Sequence, residues 1–375
     1  MNIVSTVLAH VESNLEEMVA ENIRICEIPA PSYHEKERAE YIARRFREED
    51  LAEVRIDDVN NVYGTLAGAG GKTAMLAAHS DTVFPLGTDV TVRREGDILR
   101  APGVRDNSTG VAALVTFARV ARELGLTLPG DVILVATSCE EGLGDLRGMK
   151  AAMSELKDRV SYVIGVDGSL GGLVHEGICS RRLKVNVSTG GGHSWGNFGV
   201  PSAIHALGSM IHGISSIKVP QAPRTSYNVG VISGGTSINS IAGNADMLVD
   251  MRSVDAAALA ALEVEVRSII EAERLVHQVE VDIDVVGDRP GGFIPAEHPL
   301  VQMVRGVMGS LELEIEALAS STDANVPLSM GIPAVCIGIT EGVGAHRLDE
   351  YLYINPMAKG MAQLFGVVYG LAGLD

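Results

Sequence analysis

The chain has 375 residues, 46% of them hydrophobic and 21% charged, proportions typical of a folded globular protein rather than a disordered or fibrous one. Acidic residues outnumber basic ones by 48 to 30, so the formal net charge is −18. Such a surface repels phosphate backbones and anionic lipid headgroups, and we therefore expect neither a nucleic-acid nor a membrane partner.

The length predicts two domains at roughly 150 residues each. No apolar stretch approaches the roughly 18 residues that span a bilayer, and the N-terminal segment lacks the basic start of a signal peptide. The four cysteines follow no paired spacing, which argues against a disulfide framework or a CxxC zinc site. We therefore expect a cytoplasmic protein.

The first half of the chain combines helical periodicity with short apolar strands. Apolar residues at helical spacing predict a helix over residues 2–25, and Ser32 is placed to cap a second helix that extends to about Phe46. The elements predicted next are strands at 54–56, 62–66 and 74–78, a helix at 109–124, and strands at 131–136 and 162–166. Strands that are apolar almost throughout are typical of a parallel sheet buried on both faces.

The pattern changes between about residues 181 and 290. The predicted elements there are a strand at 182–188, a helix at 203–214, strands at 227–232 and 246–251, a helix at 256–275 and a strand at 279–285. This β-α-β-β-α-β order is ferredoxin-like. A helix at 299–309 and a strand at 334–339 then return to the first pattern.

The predicted fold class is therefore α/β. A mostly parallel sheet flanked by helices forms a catalytic domain from residues 1–180 and 291–375. A ferredoxin-like α+β domain is inserted at 181–290.

Metal-binding side chains follow apolar strands or glycine loops, and the carboxyl ends of strands are where open α/β sheets form their sites. Five positions share this property: His79, Asp106, Glu141, Asp167 and His346. Four of them also have a structural explanation. His79 and Asp81 suit a polar pair at the end of a strand. Asp106 precedes a helix and is a candidate N-cap, the acids at 140 and 141 suit a solvated turn, and His346 suits a surface position.

Taken together, two imidazoles and three carboxylates form a ligand set for zinc, manganese or cobalt. Two divalent ions and a bridging hydroxide would leave such a cluster neutral, as in a two-metal hydrolytic site. Adjacent residues of an extended segment point in opposite directions, so one of Glu140 and Glu141 can bind metal while the other transfers protons. Asp81 lies two residues after His79 and can orient its imidazole.

The segments HSDTVFPLGTD, GVRDNSTG, EEG, VDG and AHRLDEY, in this order and spacing, resemble the M20 family of di-zinc metallopeptidases and deacylases. The resemblance extends from IPAPSYHEKERAEYI at residue 28 to the end of the chain. It implies two zinc ions per chain, with manganese or cobalt as alternatives. It also implies that the inserted domain is a lid that mediates homodimerisation.

The resemblance also assigns roles to the site residues. Asp106 would bridge both metals. His79 and Asp167 would complete one metal site, and Glu141 and His346 the other.

The remaining catalytic groups are assigned in the same way. Glu140 would be the general base for attack by a metal-bridging hydroxide, with Asp81 orienting His79. His193 would stabilise the oxyanion, often across the dimer.

Further substrate contacts are implied for three residues of the inserted domain: Asn239, Arg252 and Arg289. Arg252 has an alternative role in an internal ion pair with Asp250 or Asp255. Arg289 is a further candidate for holding the substrate's backbone or carboxylate.

The predicted function is hydrolysis of an amide bond in a short peptide. Asp167 favours an aminopeptidase-like enzyme, because glutamate is usual at this position in the deacylase and carboxypeptidase branches that the sequence resembles. The alternative is a deacylase of N-acyl amino acids. Two further hypotheses are an inactive ligand-binding relative and a cysteine hydrolase built on Cys139.

Overall fold

The structure is a computed structural model that describes residues 2–374. The chain divides into two compact units, which we name the first unit (Met1–Gly177 with Phe293–Asp375) and the inserted unit (Ile178–Gly292). Met1 and Asp375, the outer ends of the predicted catalytic domain, lie outside the described residues.

The first unit begins with a helical segment and continues as alternating strands and helices. Its elements up to residue 177 are α1 (Ile3–Ser13), α2 (Leu15–Cys26), α3 (Lys36–Glu48), β1 (Ala52–Ile56), β2 (Val62–Leu66), β3 (Gly68–His79), β4 (Arg93–Glu95), β5 (Ile98–Arg100), α4 (Ser108–Glu123), β6 (Leu128–Thr137), α5 (Arg147–Leu156), β7 (Tyr162–Val166) and β8 (Gly172–Gly177).

The inserted unit contains β9 (Cys179–Ser188), β10 (Gly192–His193), α6 (Ala203–Ser215), β11 (Thr225–Gly234), β12 (Ser240–Ile241), β13 (Asn244–Ser253), α7 (Ala256–His277) and β14 (Glu280–Arg289). The short strand β15 (Gly292–Phe293) includes the last residue of this unit and the first residue after it. The chain then completes the first unit with α8 (Pro299–Ser310), β16 (Glu316–Ser320), α9 (Asn325–Ser329), β17 (Ala334–Ile337), β18 (Gly342–Val343), β19 (Tyr351–Tyr353) and α10 (Met357–Gly370).

A large mixed sheet forms the centre of the first unit, with neighbouring strands in the order β1-β2-β6-β3-β7-β17-β8-β15 and with β16 paired to β8. Its middle is parallel, because β3 pairs in parallel with both β6 and β7, and β17 pairs in parallel with β7. The antiparallel pairs lie on either side, where β2 meets β6 and β17 meets β8. The predicted α/β fold class is confirmed.

Helix α4 is buried along almost its entire length, which explains its small and branched apolar sequence. It contacts β3, β6 and β7 together with α2 and α10. Phe117 of α4 stacks on Phe365 of α10, with ring centroids 4.1 Å apart. This stacking packs the middle of α4, a helix that begins two residues after Asp106, against α10.

The N-terminal segment differs from the prediction at two points. The predicted helix over residues 2–25 is two helices, because Asn14 leaves the helical conformation and its Nδ2 donates to the carbonyl oxygen of His10. Ser32 does not cap the next helix, which begins at Lys36. Its hydroxyl donates instead to Asp81 Oδ2 at 2.6 Å.

The inserted unit is a four-stranded antiparallel sheet in the order β11-β13-β9-β14, with α6 and α7 packed on β9 and β13. In β9 the side chains of Leu183, Val185 and Val187 are buried, while Lys184 between them is exposed. This alternation is that of a sheet covered by helices on one face. The element order and strand order are those of a ferredoxin-like fold.

Candidate metal centre

Three neighbouring parallel strands end at the same edge of the large sheet. His79 is the last residue of β3, and Asp167 directly follows β7. Glu140 and Glu141 follow β6 after two further residues. Since β6, β3 and β7 are adjacent, their carboxyl ends bring an imidazole and several carboxylates to one place.

Loops supply the other two predicted ligands. Asp106 precedes α4, but it is not the helix cap. Asn107 takes that role, and its side-chain oxygen accepts from the N–H of Gly110 at 3.0 Å. The carboxylate of Asp106 is therefore available to the site. His346, with its backbone at a φ of 67°, lies in the loop between β18 and β19.

The carboxylate of Asp106 lies between the two imidazoles. Its Oδ1 is 3.1 Å from Nε2 of His79, and its Oδ2 is 3.3 Å from Nε2 of His346. Asp167 Oδ2 lies on the His79 side, 3.9 Å from the same Nε2. Glu141 Oε1 lies on the His346 side, 2.8 Å from its Nε2. The structure thus brings together all five predicted ligands, in two groups that share Asp106.

In this cluster, both burial and the neighbouring charged groups shift the pKa values of the ligands. Burial lowers the pKa of His79, but hydrogen bonds to Asp106 and Asp81 outweigh it, and the pKa is raised well above the usual value. Burial raises the pKa of Asp106, but hydrogen bonds to His346 and His79 bring it far below its ordinary range. Burial and then the neighbouring Asp106 raise the pKa of Asp167 to about 6. The two imidazoles therefore favour the ionised form of Asp106, whereas burial and the Asp106 carboxylate disfavour the ionised form of Asp167.

The donor chemistry fits divalent cations. Oxygen and imidazole nitrogen ligands from His79, Asp106 and Glu141 have atoms that all lie within 4.8 Å of one another. Carboxylates packed this closely repel one another unless positive charge offsets them. Imidazole and carboxylate ligands suit zinc, manganese and cobalt.

Asp81 connects the His79 segment to the segment with the two glutamates. Nδ1 of His79 lies 3.1 Å from the backbone oxygen of Asp81 and 3.5 Å from its carboxylate Oδ1. Since the backbone oxygen is nearer, the ring donates mainly there. The carboxylate accepts from the N–H groups of Glu140 at 2.9 Å and Glu141 at 3.0 Å. Asp81 therefore orients three residues of the site, whereas the sequence pattern predicted only the one contact with His79.

Glu350 is a site residue that the sequence reasoning missed. Its fully buried carboxylate accepts from the backbone N–H groups of Gly103, Arg105 and Asp106 at 2.8–3.0 Å. Burial raises its pKa to about 7 despite these bonds. Glu350 thereby holds the loop that presents Asp106. Its position in AHRLDEY, four residues after His346, was the available signal.

In the inserted unit, β10 and β12 bring two of the predicted substrate contacts together. His193 pairs with Ser240, and the N–H of Ser194 donates to the backbone oxygen of Asn239 at 3.0 Å. Nδ1 of His193 accepts from the N–H groups of Trp195 and Gly196, both at 3.2 Å. An imidazole that accepts at Nδ1 carries its proton on Nε2 when neutral, so Nε2 is a donor.

The two predicted arginines differ from each other. Arg252 forms the internal ion pair that the sequence offered as its alternative role, with its Nε 2.7 Å from Asp250 Oδ2. Asp250 also contacts Arg182 at 3.0 Å. Arg289 lies at the end of β14, opposite Ser180, and is only 5% exposed.

The thiol of Cys139 is buried, and its Sγ lies 3.2 Å from Oε1 of Glu35. Burial, followed by the adjacent Glu35 carboxylate, raises its pKa to about 12. A thiol that stays protonated at neutral pH is a poor nucleophile. The site therefore does not support a cysteine hydrolase.

The chain is similar to known proteins in sequence as well as in fold. The family model described as Peptidase family M20/M25/M40 matches residues 75–369. Succinyl-diaminopimelate desuccinylase of Corynebacterium glutamicum is 28% identical over 345 residues, covering 87% of this chain and 89% of that protein.

Solved structures give the same fold. A tripeptidase from Staphylococcus aureus has a TM-score of 0.82 at 20% identity, covering 96% of this chain and 99% of that one. A Bacillus subtilis protein described as a dinuclear metal-binding peptidase of the M20 family has a TM-score of 0.73 at 16% identity, covering 97% and 100%.

A family model that matches most of the chain establishes membership, so this chain belongs to peptidase family M20/M25/M40 and is a metallohydrolase. The resemblance found in its motifs is confirmed. Among residues 2–374, no helix combines the length and the apolar character needed to cross a bilayer.

Proposed function

We propose that this protein is a two-metal hydrolase that cleaves the amide bond of a short peptide. The observation that carries the proposal is the position of the Asp106 carboxylate, 3.1 Å from one imidazole nitrogen and 3.3 Å from the other. We assign one metal to His79, Asp106 and Asp167. The second is assigned to His346, Asp106 and Glu141.

Zinc is the proposed metal. The similarity in fold to the dinuclear metal-binding peptidase of Bacillus subtilis supports a site for two metals. When bound, two divalent cations supply Lewis-acid polarisation of the substrate carbonyl and lower the pKa of water.

Glu140 is the proposed general base. Its carboxylate takes a proton from the attacking water as the oxygen bonds to the carbonyl carbon, and it returns that proton to the amine nitrogen as the C–N bond breaks. The products are a carboxylic acid and an amine, so atoms and protons balance. Glu140 is only 5% exposed, and its backbone is held by Asp81, which supports a fixed position during the transfer.

His193 is the proposed oxyanion donor. Its Nδ1 is occupied by two backbone N–H groups, which leaves the Nε2 proton to be donated where negative charge develops on the carbonyl oxygen. We propose that residues 181–290 act as the lid and that the enzyme is a homodimer through this domain. Asn239, Arg252 and Arg289 are the proposed contacts for the substrate's backbone or carboxylate, with Arg252 also held by its ion pair with Asp250.

Short peptides are the proposed substrates because Asp167 stands where the deacylases of this family usually have glutamate. The fold similarity to a tripeptidase agrees with this choice. The second candidate is removal of an acyl group from an N-acyl amino acid, and the 28% identity with a desuccinylase favours it.

The experiment combines metal analysis with a substrate panel of dipeptides, tripeptides and N-acyl amino acids. We expect about two metals per chain, activity that chelation removes and zinc restores, and cleavage of peptides with a free α-amino group. Exclusive cleavage of N-acyl amino acids would select the deacylase instead. Activity that survives complete removal of metal would contradict the two-metal site.

A further inference from the structure

Four consecutive backbone N–H groups, those of residues 138–141, are all held by side chains from elsewhere in the first unit. We name residues 138–141 the base segment. Ser138 N donates to Asn61 Oδ1 at 2.9 Å, and Cys139 N donates to Glu35 Oε1 at 3.1 Å. The remaining two N–H groups donate to Asp81. All three acceptor residues are fully buried.

Residues 31–35, which we name the clasp, contact this region at three points. Ser32 Oγ donates to Asp81 Oδ2 at 2.6 Å. Tyr33 OH donates to the backbone oxygen of Leu143, just beyond the base segment, at 2.8 Å. Glu35 accepts from the N–H of Cys139 and also contacts its thiol. The proposed function gives these residues no role.

The start of the clasp and the chain just before and after it are bonded to residues that closely follow β3. Pro31 forms a parallel bridge with Thr82, and Thr82 N donates to the carbonyl oxygen of Ala30 at 2.8 Å. The guanidinium of Arg38 is fully buried and donates from Nη1 to the carbonyl oxygen of Ser80 at 2.8 Å. The clasp therefore connects the end of β3 to the chain after β6.

The base segment needs such support. Cys139 has a φ of 51°, in the left-handed region that non-glycine residues rarely adopt. A strained conformation persists only where its surroundings enforce it. The bond from Cys139 N to Glu35 acts at this residue, directly before Glu140.

We propose that Glu35 and Tyr33 are positioning residues that hold the base segment so that the Glu140 carboxylate points at the reacting water. The proposal rests on the proposed role of Glu140. Because neither side chain is assigned to substrate, their loss is expected to lower kcat while leaving KM and metal content nearly unchanged.

The kinetic test compares Glu35→Ala with Glu35→Gln. The alanine variant leaves the N–H of Cys139 without its acceptor, and we expect kcat to fall about 10- to 100-fold with KM changed less than threefold. The glutamine variant keeps an oxygen at the same place and should recover most of kcat. Equal kcat values for both variants, whether normal or low, would overturn the proposal.

Amide hydrogen exchange tests the clasp without relying on activity. In Glu35→Ala, exchange of a peptide spanning residues 138–143 should rise at least tenfold, while peptides from the inserted unit keep their wild-type rates. Unchanged exchange at 138–143, or a rise throughout the chain, would overturn the proposal. If the wild type cleaves no substrate, the proposed function is wrong. Hydrogen exchange still shows in that case whether the clasp holds the base segment.

Tyr33→Phe supplies a variant that is expected to fold, because Tyr33 is 52% exposed and loses only a hydroxyl. We expect a three- to tenfold lower kcat and faster exchange at 138–143. Tyr41→Phe is the matched control, since its hydroxyl donates to Glu21 instead. An equal effect of the two substitutions would count against the clasp.

Discussion

Asp106 illustrates how much at the residue scale depends on its neighbours. A carboxylate directly before a helix usually caps it, but here Asn107 caps α4 and Glu350 binds the N–H of Asp106. Because Asn107 provides the cap and Glu350 holds the Asp106 backbone, the Asp106 carboxylate can face the two imidazoles. This position supports the proposed role of Asp106 as a ligand shared by both metal sites.

The role of Glu140 predicts a clear result for Glu140→Gln. Because the amide cannot accept the proton from water, kcat should fall about 10²- to 10⁴-fold. Metal content, measured by atomic emission, should stay at the wild-type value. Glu141→Gln is the contrasting variant, since it should lose metal. A near-normal kcat in Glu140→Gln would remove Glu140 from its proposed role.

The tautomer of His193 leads to a second residue-scale prediction. His193→Ala removes a donor from the developing oxyanion, so kcat should fall about 10²- to 10³-fold at constant metal content. His205→Ala serves as the control, because His205 is an exposed histidine of α6 in the same unit. Steady-state kinetics measure kcat of both variants. Similar kcat values for the two would argue against His193 as the oxyanion donor.

At the scale of elements, the parallel pairing of β3 with β6 and β7 determines where the site lies. The apolar runs predicted β7 with its observed bounds and placed α4 and α6 within one residue of theirs at each end. The break at Asn14 was missed because it depends on one side chain competing for a helical carbonyl.

Helix α10 packs closely against the chain that follows β17. Two glycine substitutions are therefore expected to change the free energy of unfolding in opposite directions. In Gly360→Ala the new Cβ would lie 2.0 Å from the backbone oxygen of Ile339, so the protein should lose about 1–3 kcal/mol of unfolding free energy. Gly306 in α8 has no atom within 4 Å of such a Cβ. Gly306→Ala should therefore stabilise by about 0.5–1 kcal/mol through helix propensity. Urea unfolding measures both, and shifts of the same sign would contradict this packing argument.

At the scale of the whole molecule, a net charge of −18 and a cluster of carboxylates lead us to expect that bound cations stabilise the fold. The first unit contains all five proposed ligands, drawn from positions between His79 and His346. A metal bound to these residues connects segments on both sides of the inserted unit in sequence. A metal that binds the folded state and not the unfolded state stabilises the folded state.

Metal removal is therefore expected to lower the unfolding temperature. A ligand present at 100 times its Kd contributes about 2.7 kcal/mol per site, a contribution that a chelator would abolish. Thermal unfolding followed by circular dichroism, with zinc or with chelator, measures the difference. Asp106→Asn is the control, since zinc should stabilise it much less. An unfolding temperature indifferent to zinc in the wild type would contradict the assignment.

The fold class, most strands and helices, and the residue types available as metal ligands could be predicted from the amino-acid sequence alone. These follow from local patterns, because periodicity and strand-end position depend on residues close in the chain. The side chains that hold the ligands in place could be identified only from three-dimensional contacts. Glu350 binds Asp106 across 244 residues and Glu35 binds Cys139 across 104. Such bonds arise because a buried N–H group must find an acceptor, and that acceptor is set by packing rather than by sequence spacing.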